Sequence, residues 1–144
     1  MSLDSSLVGR AFPPTGPHPV TEASVAAFSA ATGGAPADPT LAPPALVPPT
    51  YPIVLAFEAM QTFLDAEQLP LHRIVHGEQR FSYVRPVRTG DVLEARLEVS
   101  SLRSIGGNDL IGTTSTVTDA AGEVVCTATA TLVHRAETAQ EEQA

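Results

Sequence analysis

The sequence contains no lysine and no tryptophan, and it has a single cysteine, Cys126, among its 144 residues. One cysteine excludes an internal disulfide and any zinc site built from several cysteines. The eight basic residues are all arginines, scattered along the chain against sixteen acidic residues, and the formal net charge is −8. Nucleic acids and anionic membrane surfaces are bound by clustered positive charge, so the composition argues against both as partners.

Long apolar runs are also missing. No stretch approaches the ~20 residues of a membrane span, and the first residues lack the basic patch and apolar segment of a signal peptide. The chain is 43% hydrophobic and 17% charged, as globular proteins are. We predict a cytoplasmic protein with one domain over 1–135 and an acidic, flexible tail over 136–144.

Prolines are concentrated at the front of the chain, where eleven of the thirteen lie within 13–52. An irregular front third with a long loop over 33–49 therefore precedes a regular second half. Loops of that length in compact domains tend to be functional or disordered. A first helix is predicted over 22–31, because Thr21 is a plausible N-cap and a Gly-Gly pair follows the last helical residue.

A second helix is predicted over about 51–68, where apolar side chains recur at helical spacing. The residues that share this spacing are Ile53, Phe57, Met60 and Leu64. So broad an apolar face indicates a helix that is largely enclosed by other elements. We expect Thr50 to cap it. Backbone N–H groups at its head carry partial positive charge and can hold an oxyanion or a carbonyl oxygen, so segment 46–53 is a candidate functional site.

After Pro70 the hydrophobic period changes to two, which is typical of strands. The predicted strands cover 73–84, 91–103, 110–118 and 124–133. Four successive strands joined by short turns favour an antiparallel meander. The most economical packing lays the apolar helix across the concave face of a curved sheet, which gives an α+β fold. A long exposed edge strand is commonly covered by pairing between protomers.

Histidines and the cysteine offer few sites. No two histidines have metal-ligand spacing, so we predict no metal site. We interpret His18 as solvated and His72 and His134 as structural. His76 stands beside Gly77 in a strand, where a glycine lets a ligand approach closely, and this pair is a candidate site. Cys126 alternates with apolar residues and is predicted to be a buried, inert thiol.

Three segments carry a family resemblance. LVPPTYPIVLAFEAM, VHGEQRFSYVRPVRTGDVLEARLEV and DAAGEVVCTATATLV are similar to MaoC-like and FAS1-like dehydratase domains, and the opening LVGRAFPPTGPHPVTEASVAAFSAATGG resembles their usual start. The resemblance covers roughly residues 7–135. It is greatest to the short A and C subunits of the mycobacterial (3R)-hydroxyacyl-ACP dehydratase.

This resemblance implies a hot dog fold, in which an antiparallel sheet wraps around one long central helix. It implies a double hot dog dimer of two protomers, often two different chains. The implied reaction is the reversible loss of water from a (3R)-3-hydroxyacyl thioester of acyl carrier protein or coenzyme A, without a cofactor. In active members an Asp and a His from a motif after the first helix transfer the protons.

The sequence departs from that motif. Gly34 stands in the place of the catalytic Asp, and no histidine occurs between His18 and His72. The resemblance therefore implies no catalytic residue here, but a substrate-binding subunit whose partner is a MaoC-like chain that carries the Asp/His motif. The residues predicted to bind the acyl thioester are Thr50, Tyr51, Ile53, Phe57, His76 and Gly77.

Two alternatives stay open. The first is a self-sufficient hydratase or dehydratase that uses unorthodox residues, with Asp38, His76 and Glu78 as candidates. The second is a non-enzymatic protein that binds acyl thioesters, as a self-dimer. A thioesterase on the same fold is a weaker idea, because Glu58 and Asp65 fall on the wetter face of the predicted central helix.

Overall fold

The elements of the fold are seen in a computed structural model that describes residues 3–33 and 47–135. The regular elements are a 3-10 turn Ser5–Leu7, β1 His18–Pro19, α1 Glu22–Ala31, α2 Ile53–Ala66, a 3-10 turn Leu71–Arg73, β2 Ile74–Tyr83, β3 Val92–Ile105, β4 Asn108–Thr118 and β5 Val124–His134. The predicted tail 136–144, Gly34 and Asp38 lie outside the described residues. The α+β prediction is confirmed.

The five strands form one antiparallel sheet in the order β1-β3-β4-β5-β2. The predicted meander is right for β3, β4 and β5 and wrong for β2, which pairs with β5 at the far edge. The physical reason is that both edges of β3 are already occupied. Its second edge accepts backbone hydrogen bonds from the amides of Gly9, Phe12 and Thr15, so the proline-rich front of the chain takes the place expected for β2.

The core lies between α2 and the concave face of the sheet. On β3 the predicted alternation is confirmed, because Leu93, Ala95, Leu97 and Val99 are each at most 1% exposed. The N-terminal segment closes one side of this core, where the ring of Phe12 meets Phe63 edge to face with 5.0 Å between ring centres. Burial of these apolar surfaces holds the helix on the sheet.

Helix α2 is shorter than the predicted 51–68, and its buried stripe is rotated. The buried side chains are Leu55, Ala56, Ala59, Met60, Phe63 and Leu64. Phe57, which was predicted on the apolar face, is 45% exposed. At 100° per residue, Phe57 lies outside the arc centred on Ala56 and Phe63, so the helix turns it to the flank. The predicted cap by Thr50 is also wrong, because Pro52 occupies the N-cap position without a side-chain hydrogen bond.

Helix α1 agrees with its prediction. Thr21 accepts a hydrogen bond from the Ser24 amide, and the Ser24 side chain accepts one from the Thr21 amide, so the two residues form a capping box. None of the residues of α1 is fully buried. Within the described ranges 3–33 and 47–135, no helix is both long enough and apolar enough to cross a membrane.

Candidate functional site

The head of α2 is organised around the buried side chain of Tyr51, which is 1% exposed. Its hydroxyl lies 2.8 Å from Nε2 of His18 and 2.9 Å from Oγ of Ser24. Phe28 of α1 packs edge-on against the same ring. The interpretation of His18 as solvated is therefore wrong, because β1 places the imidazole against the entry of the central helix.

Ser24 Oγ also lies 2.9 Å from the Thr21 carbonyl oxygen. The Tyr51 hydroxyl has one hydrogen, so it can donate to only one of its two partners, Ser24 and His18. The network joins β1, α1 and the head of α2 through three side chains.

Backbone donors at the head of α2 are also engaged. The amides of Ile53, Val54 and Leu55 donate to the carbonyls three residues before them, at 3.0–3.1 Å. The amide of Tyr51 donates in the same way to Pro48 at 2.9 Å. These turns use the donors that the sequence offered for an oxyanion. Thr50 is exposed and Ile53 is half-buried, so both remain accessible from outside.

A narrow cavity, here called the inner slot, lies between α2 and the sheet. The side chains that define it are Ala56 and Met60 from α2, His76 and Gln79 from β2, and Thr113 and Ser115 from β4. His76 is exposed at the rim, and its Nε2 lies 2.9 Å from Oε1 of Gln79. The slot thus combines small apolar walls with four polar side chains.

Gly77 produces a bulge that sets the direction of its neighbours. The pairing of β2 with β5 shifts between His76 and Glu78, so His76 is opposite Leu132 while Glu78 is opposite Thr131. A Cβ atom on Gly77 would lie 3.3 Å from the Thr131 carbonyl oxygen, which is a tight contact. Because the bulge inserts one residue, His76 and Glu78 point to opposite faces of the sheet.

Glu78 is therefore placed away from the inner slot. Its carboxylate forms an exposed ion pair with Arg80 at 2.6 Å. Asp38, the other suspected acid–base residue, lies outside the described residues. Among residues 3–33 and 47–135, no three His, Cys, Asp or Glu side chains come together in a way that could hold a metal ion.

A second cavity of about 300 Å³ opens where β2 ends and the chain enters α2. Its lining residues are Val47, Pro49, Tyr83, Val84, Arg85, Pro86 and Val87. The Tyr83 hydroxyl donates to the Pro49 carbonyl, which ties the end of β2 to the approach of the helix. Burial, with a smaller contribution from the nearby Cys126, raises the pKa of Tyr83 to about 12, so its hydroxyl stays protonated. Cys126 itself is fully buried as predicted.

Arg85 links the loop before β3 to the loop between β4 and β5, beside this cavity. Its guanidinium lies 2.9 Å from the Asp91 carboxylate and 3.4 Å from that of Asp119. Burial acts to raise the pKa of Asp91. The hydrogen bonds from Arg85 and from the Arg88 amide outweigh it and hold the pKa of that carboxyl below its usual value. The sequence analysis missed this clamp, because nothing in the spacing marks the three residues as neighbours.

This clamp gives a testable pH dependence. A carboxyl with a lowered folded-state pKa adds stability above its unfolded pKa, about 3.9, and loses it as pH falls through the folded pKa. We expect Asp91→Asn to cost about 1–2 kcal/mol at neutral pH, and progressively less as the pH falls below the ordinary Asp pKa of about 3.9 and through the lower folded-state pKa. Urea unfolding across this range measures it, with Glu98→Gln on the exposed face of β3 as the control. A cost that persists undiminished in acid would contradict this assignment.

Of the remaining histidines, His134 has structural surroundings, as expected, whereas the His72 side chain is exposed. His134, at the end of β5, is 9% exposed and places Nδ1 3.4 Å from the buried Asp109 carboxylate. Asp109 also accepts hydrogen bonds from the Leu3 amide and the Ser104 hydroxyl. The backbone carbonyl of His72 accepts from Arg135. These contacts tie the chain ends to the sheet, away from the inner slot.

Comparison with known proteins gives a consistent family. A model of the FAS1-like dehydratase domain region matches residues 6–128. The UPF0336 protein SCO4636 of Streptomyces coelicolor is 40% identical over 146 residues, which cover 94% of this chain and 97% of the relative. A UPF0336 protein of Streptomyces avermitilis is 39% identical over 148 residues and covers 94% and 97% in the same way.

Solved structures agree with the observed architecture. The HadBC (3R-hydroxyacyl-ACP dehydratase) complex of Mycobacterium tuberculosis superposes with a TM-score of 0.77 at 25% identity, covering 92% of this chain and 99% of the matched one. The MaoC-like dehydratase from Rhodospirillum rubrum has the same fold, with a TM-score of 0.66 at 20% identity and coverage of 91% and 94%. The predicted hot dog fold is confirmed. This chain belongs to the FAS1-like, MaoC-like dehydratase family, together with the UPF0336 proteins.

Proposed function

We propose that this chain is the substrate-binding, non-catalytic subunit of a heteromeric (3R)-3-hydroxyacyl-thioester dehydratase. The observation that carries the proposal is a dehydratase fold without an acid–base pair in its described site. Dehydration needs one group to remove the C2 proton and another to protonate the leaving hydroxyl. His76 is bonded to Gln79, and the bulge at Gly77 turns Glu78 to the other face of the sheet.

The sequence supports the same conclusion at the place where active relatives carry their motif. Gly33 and Gly34 follow α1, and the chain has no histidine from residue 19 to residue 71. A partner that carries an Asp/His motif would supply both proton transfers. The acyl thioester, on acyl carrier protein or coenzyme A, would then lie between the two chains.

The outer edge of β2 is the surface we assign to that partner. This strand ends the sheet over ten residues, and no strand within 3–33 or 47–135 covers its outer side. Free edges of this length are commonly covered by another chain. Val75 on the edge and Phe57 on the neighbouring flank of α2 are 47% and 45% exposed, which adds apolar area. Pairing there would produce a double hot dog dimer.

The substrate residues proposed from the sequence fall into two groups. Thr50 lies just before α2, Ile53 and Phe57 lie along its accessible flank, and His76 lies at the rim of the inner slot, next to Gly77 in the chain. We propose that these five contact the acyl thioester or its pantetheine arm. Tyr51 is not among them, because its buried hydroxyl already bonds to His18 and Ser24.

Hydration of a trans-2-enoyl thioester tests the proposal. We expect the purified chain alone to give no turnover above background, because positioned acid–base catalysis contributes about 10²–10⁴-fold. Addition of a MaoC-like chain with the Asp/His motif should restore the loss of enoyl absorbance. His76→Ala in the same complex should raise KM more than it lowers kcat.

The alternatives give different results in this assay. Turnover by the chain alone would contradict the proposal and favour a self-sufficient hydratase, with Asp38 and His76 to be replaced next. If no such partner restores turnover, but the chain binds acyl thioesters, the result would favour a non-enzymatic binding protein. Isolation of the native complex with only this chain, in active form, would also overturn the subunit role.

A further inference from the structure

Two hydroxyl side chains lie buried beneath α2. Thr113 and Ser115 are only 4% and 3% exposed. Strand β4 alternates, so both share the concave face with Ile111 and Val117, which are completely buried. A core face under an apolar helix is ordinarily apolar, and two adjacent hydroxyls there require an explanation.

Neither hydroxyl has a protein partner within the described chain. No hydrogen bond joins the side chain of Thr113 or Ser115 to another group of residues 3–33 and 47–135. At the same time, no side-chain oxygen or nitrogen in those ranges is both fully enclosed and unpartnered. Each hydroxyl oxygen therefore keeps some accessible surface, and the inner slot is the cavity that both side chains line.

The inner slot has room for one small molecule. Its volume is about 10 Å³, which is about the least that a single water molecule requires. Met60 from α2 and Leu97 and Leu132 from the sheet line it as well.

We propose that the inner slot binds one water molecule between Thr113 and Ser115, and that this site limits the substrate to short acyl chains. The limit on chain length rests on the proposed function, whereas the water site stands on the geometry alone. A bound water satisfies both hydroxyls. An alkyl chain that displaced it would leave them buried without a partner, which is unfavourable.

Acyl length is the quantity to vary. Each buried methylene normally raises affinity about fourfold, the equivalent of about 0.8 kcal/mol. Because a longer chain would have to displace the bound water, the gain should stop after a short chain. We expect butanoyl- and dodecanoyl-coenzyme A to bind the full chain with affinities within about tenfold, whereas eight buried methylenes would give far more.

An apolar variant should remove the limit. In Thr113→Val/Ser115→Ala the side-chain volumes stay nearly the same, and no hydroxyl loses its water when an acyl chain enters. We expect its affinity for octanoyl-coenzyme A to rise about tenfold or more, measured by titration calorimetry. The matched control is Thr114→Val/Thr116→Ala, on the opposite face of β4, and it should behave like the natural chain. Ser115→Ala alone provides a milder variant if the double variant is unstable.

The water itself has a separate readout. A nuclear Overhauser effect between water and the Thr113 methyl group should appear in the natural chain. It should vanish in Thr113→Val/Ser115→Ala, where the methyl groups of the introduced valine report instead. If no acyl-coenzyme A binds but the effect is present, the proposed function fails and the water site stands. If acyl thioesters bind and affinity climbs about fourfold per methylene up to dodecanoyl, or the water effect is missing, the inference is overturned.

Discussion

Replacement of Tyr51 by alanine is expected to destabilise the fold by about 3–5 kcal/mol, the cost of removing a large buried ring from a packed core. The ring is 1% exposed and packs against Phe28, so its removal would leave a cavity inside the core. Because α2 begins two residues later, the loss acts on the entry of the central helix. Urea unfolding measures this loss as a lower midpoint concentration, with the dependence of the unfolding free energy on urea unchanged.

Tyr51→Phe separates the hydroxyl from the ring. This change keeps the packing but removes the bonds to His18 and Ser24, so we expect a smaller cost of about 1–3 kcal/mol. Tyr83→Phe is the matched control, because Tyr83 is exposed and its hydroxyl makes a hydrogen bond to the Pro49 carbonyl at the surface. If Tyr51→Phe were as costly as Tyr51→Ala, the hydroxyl network rather than ring packing would dominate. If Tyr51→Phe cost nothing, the network would have no role in stability.

Phe57→Glu is expected to weaken assembly with the partner chain by about 30-fold or more, the scale of a central aromatic at an interface. Phe57 is 45% exposed on α2, the helix whose Ala56 and Met60 share the inner slot with His76 and Gln79 of β2. A carboxylate at position 57 would be desolvated on contact with a partner. The isolated chain should lose little stability, since the side chain is not part of its core. Sedimentation equilibrium of the mixture measures the dissociation constant.

The control for this prediction is Ile105→Glu. Ile105 is 51% exposed at the end of β3, next to the tight turn into β4 and far along the sheet from β2. Equal weakening by both changes would point to a general effect of negative charge. An unchanged assembly in Phe57→Glu would place the partner surface elsewhere on the chain.

Much of the local structure could be predicted from the sequence. The alternation on β3 correctly identified Leu93, Ala95, Leu97 and Val99 as one buried face. Thr21 was correctly identified as the cap of α1. Strand periodicity and cap chemistry depend on neighbours within a few residues, so a single segment contains the needed information.

The inner slot shows what a local pattern leaves open. The alternation of β4 places Thr113 and Ser115 on the face of Ile111 and Val117, and this was visible in the sequence. Whether the two hydroxyls face a cavity depends on Met60 and His76, which line the same space from α2 and β2. A Thr-rich strand alone carries no signal for that cavity.

The sequence by itself determined the α+β class, the buried face of β3 and the lack of an Asp/His motif after α1, because each depends on residue identity and short-range period. Only the tertiary structure decided that β2 pairs with β5 and that His18 meets Tyr51. It also decided that Phe57 stays outside the core. Pairing depends on which edges other segments leave free, and the buried arc of a helix depends on what packs around it. Both are properties of the assembled chain.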